Sequence, residues 1–228
     1  MKTLVALLSV FLITSPAVES DNCKAYIPSQ VGSVWEHTHY NAKDKVTGSN
    51  TSELKSMSEK DGEVTFEISS VIFDKKGKES MTMDFEANCK DDVFEVDMSS
   101  LFGSGVMEQY KDMEMTIDNS KLEFPDFDAA VGTELKDSEM TVKVQGMTSM
   151  NFKMVNRKLE AKESLTVSAG TFECIIITQD YEFTTMGITM RSSSKEWYAP
   201  EVGMVKSETF NKAGKLKSYS VLTKLETK

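Results

Sequence analysis

The sequence predicts an all-β, mostly antiparallel fold: a curled sheet that forms a half-barrel or a β-barrel-like meander with one short helix. Two observations predict this class. Short runs in which apolar and polar residues alternate fill most of the chain. Turn sequences rich in Gly, Asn and Asp separate these runs. An antiparallel sheet built from so many strands must curl or close.

The clearest turns belong to a hexamer that occurs three times, as YNAKDK at Tyr40–Lys45, FDKKGK at Phe73–Lys78 and FNKAGK at Phe210–Lys215. Runs of period two flank the second copy, EVTFEISSVIF before it and MTMDFEANC after it. We therefore interpret the hexamer as a hairpin turn and not as a repeated binding motif. Its Asn or Asp caps the turn, and its Gly, replaced by Asp44 in the first copy, takes a positive φ.

Further strands follow in the second half of the chain. Alternation predicts strands over Met140–Val144 and Met150–Met154, and a change of phase then predicts a bulge near Val155 or Asn156. The run CIIIT, which begins at Cys174, is apolar at successive positions, as is typical of a central strand covered on both faces. Three last strands are predicted in KEWYAP, GMVKSETF and LKSYSVLTKL.

The middle of the chain reads differently. Residues 99–137 separate two β-rich halves, 21–98 and 138–228, which we expect to form one domain. A short helix is predicted near Val106–Lys111, where it could plug the sheet, and a strand near Met113–Ile117.

The first residues have the composition of a secretory signal peptide, predicted over residues 1–20. A single Lys precedes an apolar run from Leu4 to Ile13 that is too short to span a bilayer. The residues before Cys23 read SDN, which is not a lipobox, and no later segment could span a membrane. We therefore expect a soluble, secreted or periplasmic protein that is not a lipoprotein, with the single domain 21–228.

The three cysteines would lie in an oxidising compartment. Cys23 opens the mature chain and Cys89 ends a strand at the turn CKDD, so we expect these two to pair. The disulfide would stabilise the fold by roughly 4 kcal/mol in the chain-entropy model. Cys174 shares a strand face with Phe172 and Ile176, which predicts a buried free thiol.

The charge balance limits the partners of the chain. Its formal net charge of -10 would repel phosphate backbones and anionic lipid surfaces, so nucleic acid is not an expected partner. Charges of both signs are mixed along the chain, as in an ordinary solvated surface.

No catalytic motif is present in the sequence. GxSxG, HExxH, a P-loop and a dinucleotide fingerprint are all missing. The two histidines, His37 and His39, project from the same strand face as Trp35 and could ligate a metal, but no third ligand has a suitable spacing. We expect no cofactor and no enzymatic activity; a hydrolase that uses a pair of carboxylates is the alternative.

Methionine is abundant, with 15 in the chain, and several stand in pairs such as Met81 and Met83. Most lie at the apolar positions of predicted strands. Core packing, a pliable ligand cavity and a Cu(I) site made of thioethers with His37 and His39 are the three interpretations, and core packing is preferred.

Two regions resemble a known family. The stretches AGTFECIII and KEWYAPEVGMVKSETFNKAGKLKSYSVL are similar to the signature of the TapB-like exported bacterial proteins, a family of unknown function, and DNCKAYIPSQVGSVWEHTHYNAKDKVTG resembles their mature start. The resemblance covers most of the mature chain, implies a bacterial envelope location and brings no catalytic residue. At the level of fold, LolA-like half-barrels, which carry lipids or acyl chains, are the analogy.

These observations favour a non-catalytic envelope protein whose concave sheet face binds an apolar small molecule or lipid. The rival is a structural or interaction protein with a filled core, whose protein partner the sequence does not identify. A periplasmic copper-binding protein is a further alternative. The predicted lining residues are Met81, Met83, Phe85, Met150, Phe152 and Met154.

Overall fold

A computed structural model describes residues 24–91, 93–99, 115–119 and 121–228. The predicted signal peptide, Cys23 and the predicted helix at Val106–Lys111 lie outside the described residues.

Thirteen β-strands form the described part of the chain. The alternation of apolar and polar residues sets most of their bounds, because one strand face is buried and the other meets water. The strands are β1 Val34–Asn41, β2 Val46–Lys60, β3 Glu63–Asp74, β4 Glu79–Lys90, β5 Val93–Asp97, β6 Met115–Asn119, β7 Lys121–Glu123, β8 Ser138–Val144, β9 Met147–Val167, β10 Gly170–Thr185, β11 Ile188–Ala199, β12 Gly203–Asn211 and β13 Leu216–Glu226.

All thirteen strands belong to one antiparallel sheet, in the order β6-β8-β9-β10-β11-β12-β13-β1-β2-β3-β4-β5-β7. Two meanders, β1–β5 and β8–β13, are joined where β1 pairs with β13. The two edge strands, β6 and β7, are separated by a single residue of the chain, so the two edges of the sheet lie near each other. The predicted all-β antiparallel fold is confirmed.

One core cluster demonstrates that the sheet is curled. It contains Phe66 and Ile68 of β3 together with Leu159 of β9 and Ile177 of β10. In a flat sheet, β3 and β9 would lie about 34 Å apart, since neighbouring strands are spaced by about 4.8 Å. Their side chains meet because the sheet wraps around one core. We call the surface that carries these residues the inner face.

The two ends of the curled sheet differ. We call the end with the β1–β2, β3–β4, β8–β9, β10–β11 and β12–β13 turns the upper end; the opposite end is the lower end. Aromatic side chains fill the lower end: Tyr26 stacks on Phe127 at 4.3 Å between ring centroids and lies 4.5 Å from Phe124. The Tyr26 hydroxyl donates to the carbonyl of Pro125 at 2.6 Å. The segments before β1 and after β7 therefore close this end.

Strand β10 is covered on both faces, as predicted. Ile175 and Ile177 belong to the core inside the sheet, while Cys174 and Ile176 pack with Trp197 in a second cluster on the other face. Cys174 is free and buried, and burial raises the pKa of its thiol to about 12.

Two other local predictions concern β9 and the cysteines. The β9–β10 register shifts between Thr178 and Asp180, and Asn156, opposite this point, has a φ of 54°, which confirms the predicted bulge. Cys89 is buried near the end of β4. Its pairing with Cys23 stays a prediction, since Cys23 is outside the described residues.

The three hexamers are hairpin turns built in the same way. In the copy after β3, the carboxylate of Asp74 accepts hydrogen bonds from the backbone N–H groups of Lys76 at 2.8 Å and Lys78 at 3.0 Å. Asn41 and Asn211 accept the equivalent bonds in their own turns. The fifth position has a φ of 58° at Asp44, 75° at Gly77 and 71° at Gly214. The predicted turn geometry is confirmed.

We expect Gly77→Val to reduce the free energy of unfolding by about 1 to 2 kcal/mol, because an L-residue in the left-handed region is strained. A Cβ at Gly77 would contact no heavy atom within 4 Å, so the loss would arise from the backbone alone. Urea unfolding measures it. The matched control is Gly77→Asn, which tolerates this conformation; an equal loss in both variants would contradict the backbone explanation.

Candidate functional site

The structure places the first three predicted lining residues on the inner face of β4. Met81, Met83 and Phe85 lie opposite Ile72, Ser70 and Ile68 of β3, and side chains of directly opposed residues share a face. Phe85 packs against the core, Met83 is half-buried and Met81 is 40% exposed. The apolar inner face of β4 thus continues from the core toward the upper end.

The other three predicted residues lie on β9. Met150, Phe152 and Met154 oppose Thr185, Phe183 and Tyr181 of β10. Met154 is buried in a cluster with Met98, Leu122 and Met140, and Phe152 packs against this cluster. Of the three, only Met150 has no place in a core cluster. In the β9 group, Phe152 and Met154 therefore contribute to core packing. Met150 continues the apolar inner face toward the upper end, as the residues of β4 do.

A ring of polar side chains crosses the inner face between the core and the upper end. On most strands that contribute to it, a polar residue lies directly above a core residue, as Ser70 does above Ile68 on β3. We call this ring the polar belt. Its members are His37, Asn50, Ser52, Ser70, Arg157, Gln179, Tyr181, Ser194, Glu196, Ser207 and Ser220.

Glu196 is the centre of one half of this belt. Its carboxylate accepts hydrogen bonds from the hydroxyls of Tyr181 at 2.7 Å, Tyr198 at 2.7 Å and Ser194 at 2.9 Å, and from the amide of Gln179 at 3.2 Å. A carboxylate has about four acceptor positions, so these donors saturate it. Burial and the nearby Glu196 charge raise the pKa values of Tyr181 and Tyr198.

Arg157 extends this network toward the lower loops. Its guanidinium donates to the side-chain oxygen of Gln179 at 3.1 Å and to the carbonyls of Lys136 at 2.7 Å and Glu123 at 2.9 Å. Burial lowers the pKa of Arg157, while the surrounding Tyr198 and Glu196 oppose that shift. The network joins β9, β10 and β11 to the segments around β7, so it fixes the curvature of the sheet at this point.

The comparisons agree with this architecture. The model of the DUF3108-like family matches residues 30–222, which span all strands from β1 to most of β13. The chain belongs to the DUF3108-like family. No curated protein matches it significantly.

Two solved structures show the fold that this DUF3108-like protein adopts. A protein inferred to be exported, with a YmcC-like fold, from Bacteroides fragilis NCTC 9343 has 22% identity and a TM-score of 0.72, and the match covers 88% of this chain and 98% of that one. A protein inferred to be a lipoprotein from Parabacteroides distasonis ATCC 8503 has 22% identity and a TM-score of 0.74, covering 90% and 99%. The described part of the DUF3108-like chain contains no helix that is long and apolar enough to cross a membrane. The narrower TapB-like resemblance stays a prediction.

The two histidines of this DUF3108-like protein lie on the inner face with Trp35, as predicted. Nε2 of His37 donates to the carbonyl of Met204 at 2.7 Å, and burial lowers the pKa values of both His37 and His39. The residues directly paired with His37 and His39 on β2 and β13 include no methionine, and Met204 contacts His37 through its backbone carbonyl. No group of three or more His, Cys, Asp or Glu side chains within the described ranges could hold a metal ion.

Several clefts are formed by the described residues. One of about 510 Å³ lies around Lys55, Asp84 and Phe85, another of about 690 Å³ around Glu134 and Arg157, and a third of about 280 Å³ along Tyr181 and Arg191. Of the six predicted lining residues, only Phe85 borders one of these clefts.

Core packing does not explain all methionines, which corrects the preferred interpretation. Met98, Met140 and Met154 are buried, but Met147 is 70% and Met186 is 94% exposed. The strands β9, β10 and β11 extend above the core, so positions of apolar parity near their upper ends have nothing to pack against. Alternation fixes the face of a residue and not its height along the strand.

The polar belt was not predicted from the sequence. Its signal was present, because Gln179, Ser194 and Glu196 stand at the parity that Ile177 and Tyr198 place inside. A polar residue at such a position is ambiguous in one sequence, since a bulge or an exposed end produces the same pattern.

Proposed function

We propose that this DUF3108-like protein is a non-catalytic exported envelope protein that binds an apolar ligand, a lipid or acyl chain, on the inner face above the polar belt. The observation that carries this proposal is the incomplete burial of apolar side chains there. Ile72, Met81 and Met83 on one flank and Phe183 and Met190 on the other lie on the inner face without full burial. Apolar side chains with polar groups at one boundary suit an amphipathic ligand.

The exported location is supported by the predicted signal peptide over residues 1–20 and by the two structural relatives, which are inferred to be an exported protein and a lipoprotein. The relatives support the fold directly and the location by analogy.

The absence of catalysis is supported by the state of the polar belt. Glu196 has a donor for each acceptor position, and His37 donates to a backbone carbonyl. A general base needs a free acceptor within reach of substrate. These groups therefore fit a structural role better than an acid–base role.

A structural or interaction protein without a small ligand is the second candidate. The packing of Phe85, Phe152 and Met154 into core clusters favours it, because these side chains already have apolar neighbours. The two functions differ in the role of the half-buried apolar residues above the polar belt. They would contact a ligand in the first function and would contact only other residues of the protein in the second.

Titration with a fluorescent fatty acid tests the proposal. We expect Met83→Gln to change the free energy of unfolding by less than about 1 kcal/mol and to weaken uptake by roughly fivefold, since apolar contact to the ligand is lost. The buried Met154→Gln is the matched control in the core. It should lose about 1 to 3 kcal/mol of stability, because its amide has no partner there.

The wild-type result decides between the two candidates. If the protein takes up no probe, and no lipid accompanies it in native mass spectrometry, the ligand-binding function is wrong and the structural one is preferred. A copper mass would instead support the metal-binding alternative.

A further inference from the structure

All five turns of the upper end lie along one rim of the sheet. The β1–β2 turn is next to β13, because the backbone N–H of Ala42 donates to the carbonyl of Lys217 at 3.0 Å. Gly48 opposes Asp74, which places the β3–β4 turn beside the β1–β2 turn. The three hexamers thus become neighbours, although the first and the third are separated by more than 160 residues in sequence.

The hexamer turns make this rim basic although the chain has a formal net charge of -10. Three carboxylates stand among the lysines, and each accepts hydrogen bonds from other groups. Asp74 caps its own turn, Asp44 accepts from the hydroxyl of Tyr219 at 2.9 Å, and Glu79 accepts from the hydroxyl of Thr82 at 3.2 Å. The exposed lysines, which we call the lysine rim, are Lys43, Lys45, Lys75, Lys76, Lys78, Lys212, Lys215 and Lys217.

These eight ammonium groups have no acidic partner in the part of the chain that the structure describes. Lysines elsewhere do, as in the pairs Lys206–Glu208 at 2.6 Å and Lys143–Asp118 at 2.5 Å. The charge of the lysine rim is therefore only partly offset, by the three carboxylates Asp44, Asp74 and Glu79.

The two remaining turns of the upper end carry no charge. Residues 144–152 and 183–190 contain no Asp, Glu, Lys or Arg, and 27% of the whole chain is charged. These neighbouring hairpin ends form what we call the apolar tip. Their most exposed apolar side chains are Met186 at 94%, Met147 at 70% and Ile188 at 67%.

Several hydroxyl groups of the apolar tip form hydrogen bonds within the tip. The hydroxyls of Thr184 and Thr189 lie 2.8 Å apart, and the hydroxyl of Thr185 donates to the carbonyl of Ser149 at 3.3 Å. Both turns have two successive residues of positive φ, which is the tight hairpin geometry. Self-contained hydrogen bonding is what a segment needs where water is scarce.

The height of the tip relative to the rim is defined by register. Ser192 of β11 opposes Asn211, where the Lys212–Lys215 turn begins, and β11 continues four residues further, to Ile188. At about 3.3 Å per residue, the tip extends roughly 13 Å beyond Asn211. The lysine-bearing turns therefore lie beside the base of a protruding apolar end, beginning with the adjacent β12–β13 turn.

We propose that the upper end docks on a membrane surface that contains anionic lipids. The lysine rim contacts the headgroups, and Met147, Met186 and Ile188 enter the interface, where amphipathic elements bury about 5 to 10 Å. This inference does not rest on the proposed ligand function.

A membrane fits better than an acidic protein because it can accept the apolar tip as well as the lysine rim. An acidic surface would pair with the lysines but would offer nothing to the exposed Met186 and Met147. The net negative charge does not prevent docking, because interactions between exposed charges that are farther apart than a Debye length, about 8 Å, are largely screened.

Vesicle binding tests the proposal. One set of vesicles is pure phosphatidylcholine, and the other contains 30% phosphatidylglycerol, which is about one anionic lipid in three. We expect binding to the mixture, with at least about tenfold weaker binding to the neutral vesicles. Replacing Lys75, Lys76 and Lys78 with Gln should weaken binding on the order of 100-fold, at about fivefold per lysine. The charge-matched control replaces Lys60, Lys90 and Lys224, which lie toward the lower end, and should change binding by less than about threefold.

A fluorophore attached to a Met186→Cys variant reports the position of the tip. The buried Cys174 will not compete for the label. We expect a blue shift and stronger emission on anionic vesicles. Equal losses in the two triple variants would overturn the proposal. So would unchanged emission at position 186 together with tight binding to soluble polyglutamate, a result that would indicate an acidic protein partner.

Discussion

Replacing Glu196 with alanine is expected to reduce the free energy of unfolding by about 3 to 5 kcal/mol. The change removes the acceptor of the buried Tyr181 and Tyr198 hydroxyls, and it leaves Gln179 and Ser194 with only the Tyr181 hydroxyl oxygen as an acceptor. Buried donors without partners are costly. A loss of this size is a large fraction of the stability of most domains. Urea unfolding followed by tryptophan fluorescence measures it.

Glu163→Ala is the matched control for this prediction. Glu163 is an exposed carboxylate that accepts one hydrogen bond, from the indole N–H of Trp197 at 2.6 Å. Water can replace it, so we expect a loss of less than about 1 kcal/mol. If both alanine variants were equally stable, the polar belt would contribute nothing to stability, and Glu196 would become available for a functional role.

Alkaline pH should unfold the protein steeply. Tyr26, Tyr181 and Tyr198 are buried or nearly so, and burial is the main cause that raises the pKa of each above the ordinary value. Above pH 10 the unfolded chain releases these phenolic protons and the folded chain keeps them. The unfolded state then binds fewer protons, so stability falls as pH rises, by about 1.4 kcal/mol per pH unit for each tyrosine.

Together the three tyrosines should contribute about 4 kcal/mol per pH unit above pH 10, which is enough to unfold an ordinary domain between about pH 11 and 12. Urea midpoints at successive pH values give the slope, and absorbance at the tyrosinate band gives the ionisation. Tyr26→Phe should reduce the tyrosine part of the slope by about one third; the buried Cys174 thiol, whose pKa is raised to about 12, adds its own contribution in both proteins. A full slope in that variant, or ionisation of all tyrosines near pH 10 in the folded state, would refute this account.

The sequence predicted strands and turns well because those features are local. The hexamer at Phe73–Lys78 contains its own capping carboxylate and its own glycine, so its geometry needs no information from elsewhere. The bulge at Asn156 changed the parity of the apolar residues and was visible for that reason.

Features that depend on which strands become neighbours were not predictable in this way. The polar belt forms only when β9, β10 and β11 align Arg157, Gln179 and Glu196. The lysine rim forms only because β1 pairs with β13. Interpreting the hexamers as turns was correct. That interpretation did not predict that the lysines of the three turns would lie close together on the sheet. The net charge of -10 predicted repulsion from anionic surfaces. A net charge does not describe where the charges lie, and the fold places eight lysines together at the upper end.

The pairing of β1 with β13 has a consequence for how the chain assembles. Most neighbouring strands of each meander are consecutive in sequence, so each meander can grow by short-range hairpin closure. The β1–β13 ladder instead joins residues such as Val34 and Glu226, and such distant contacts require the largest loss of chain entropy before they stabilise anything. The β1–β13 ladder should therefore form late, after both meanders. Because it also brings the start and the end of the domain together, a circular permutant that links them would turn the slowest step into a local one and should fold faster.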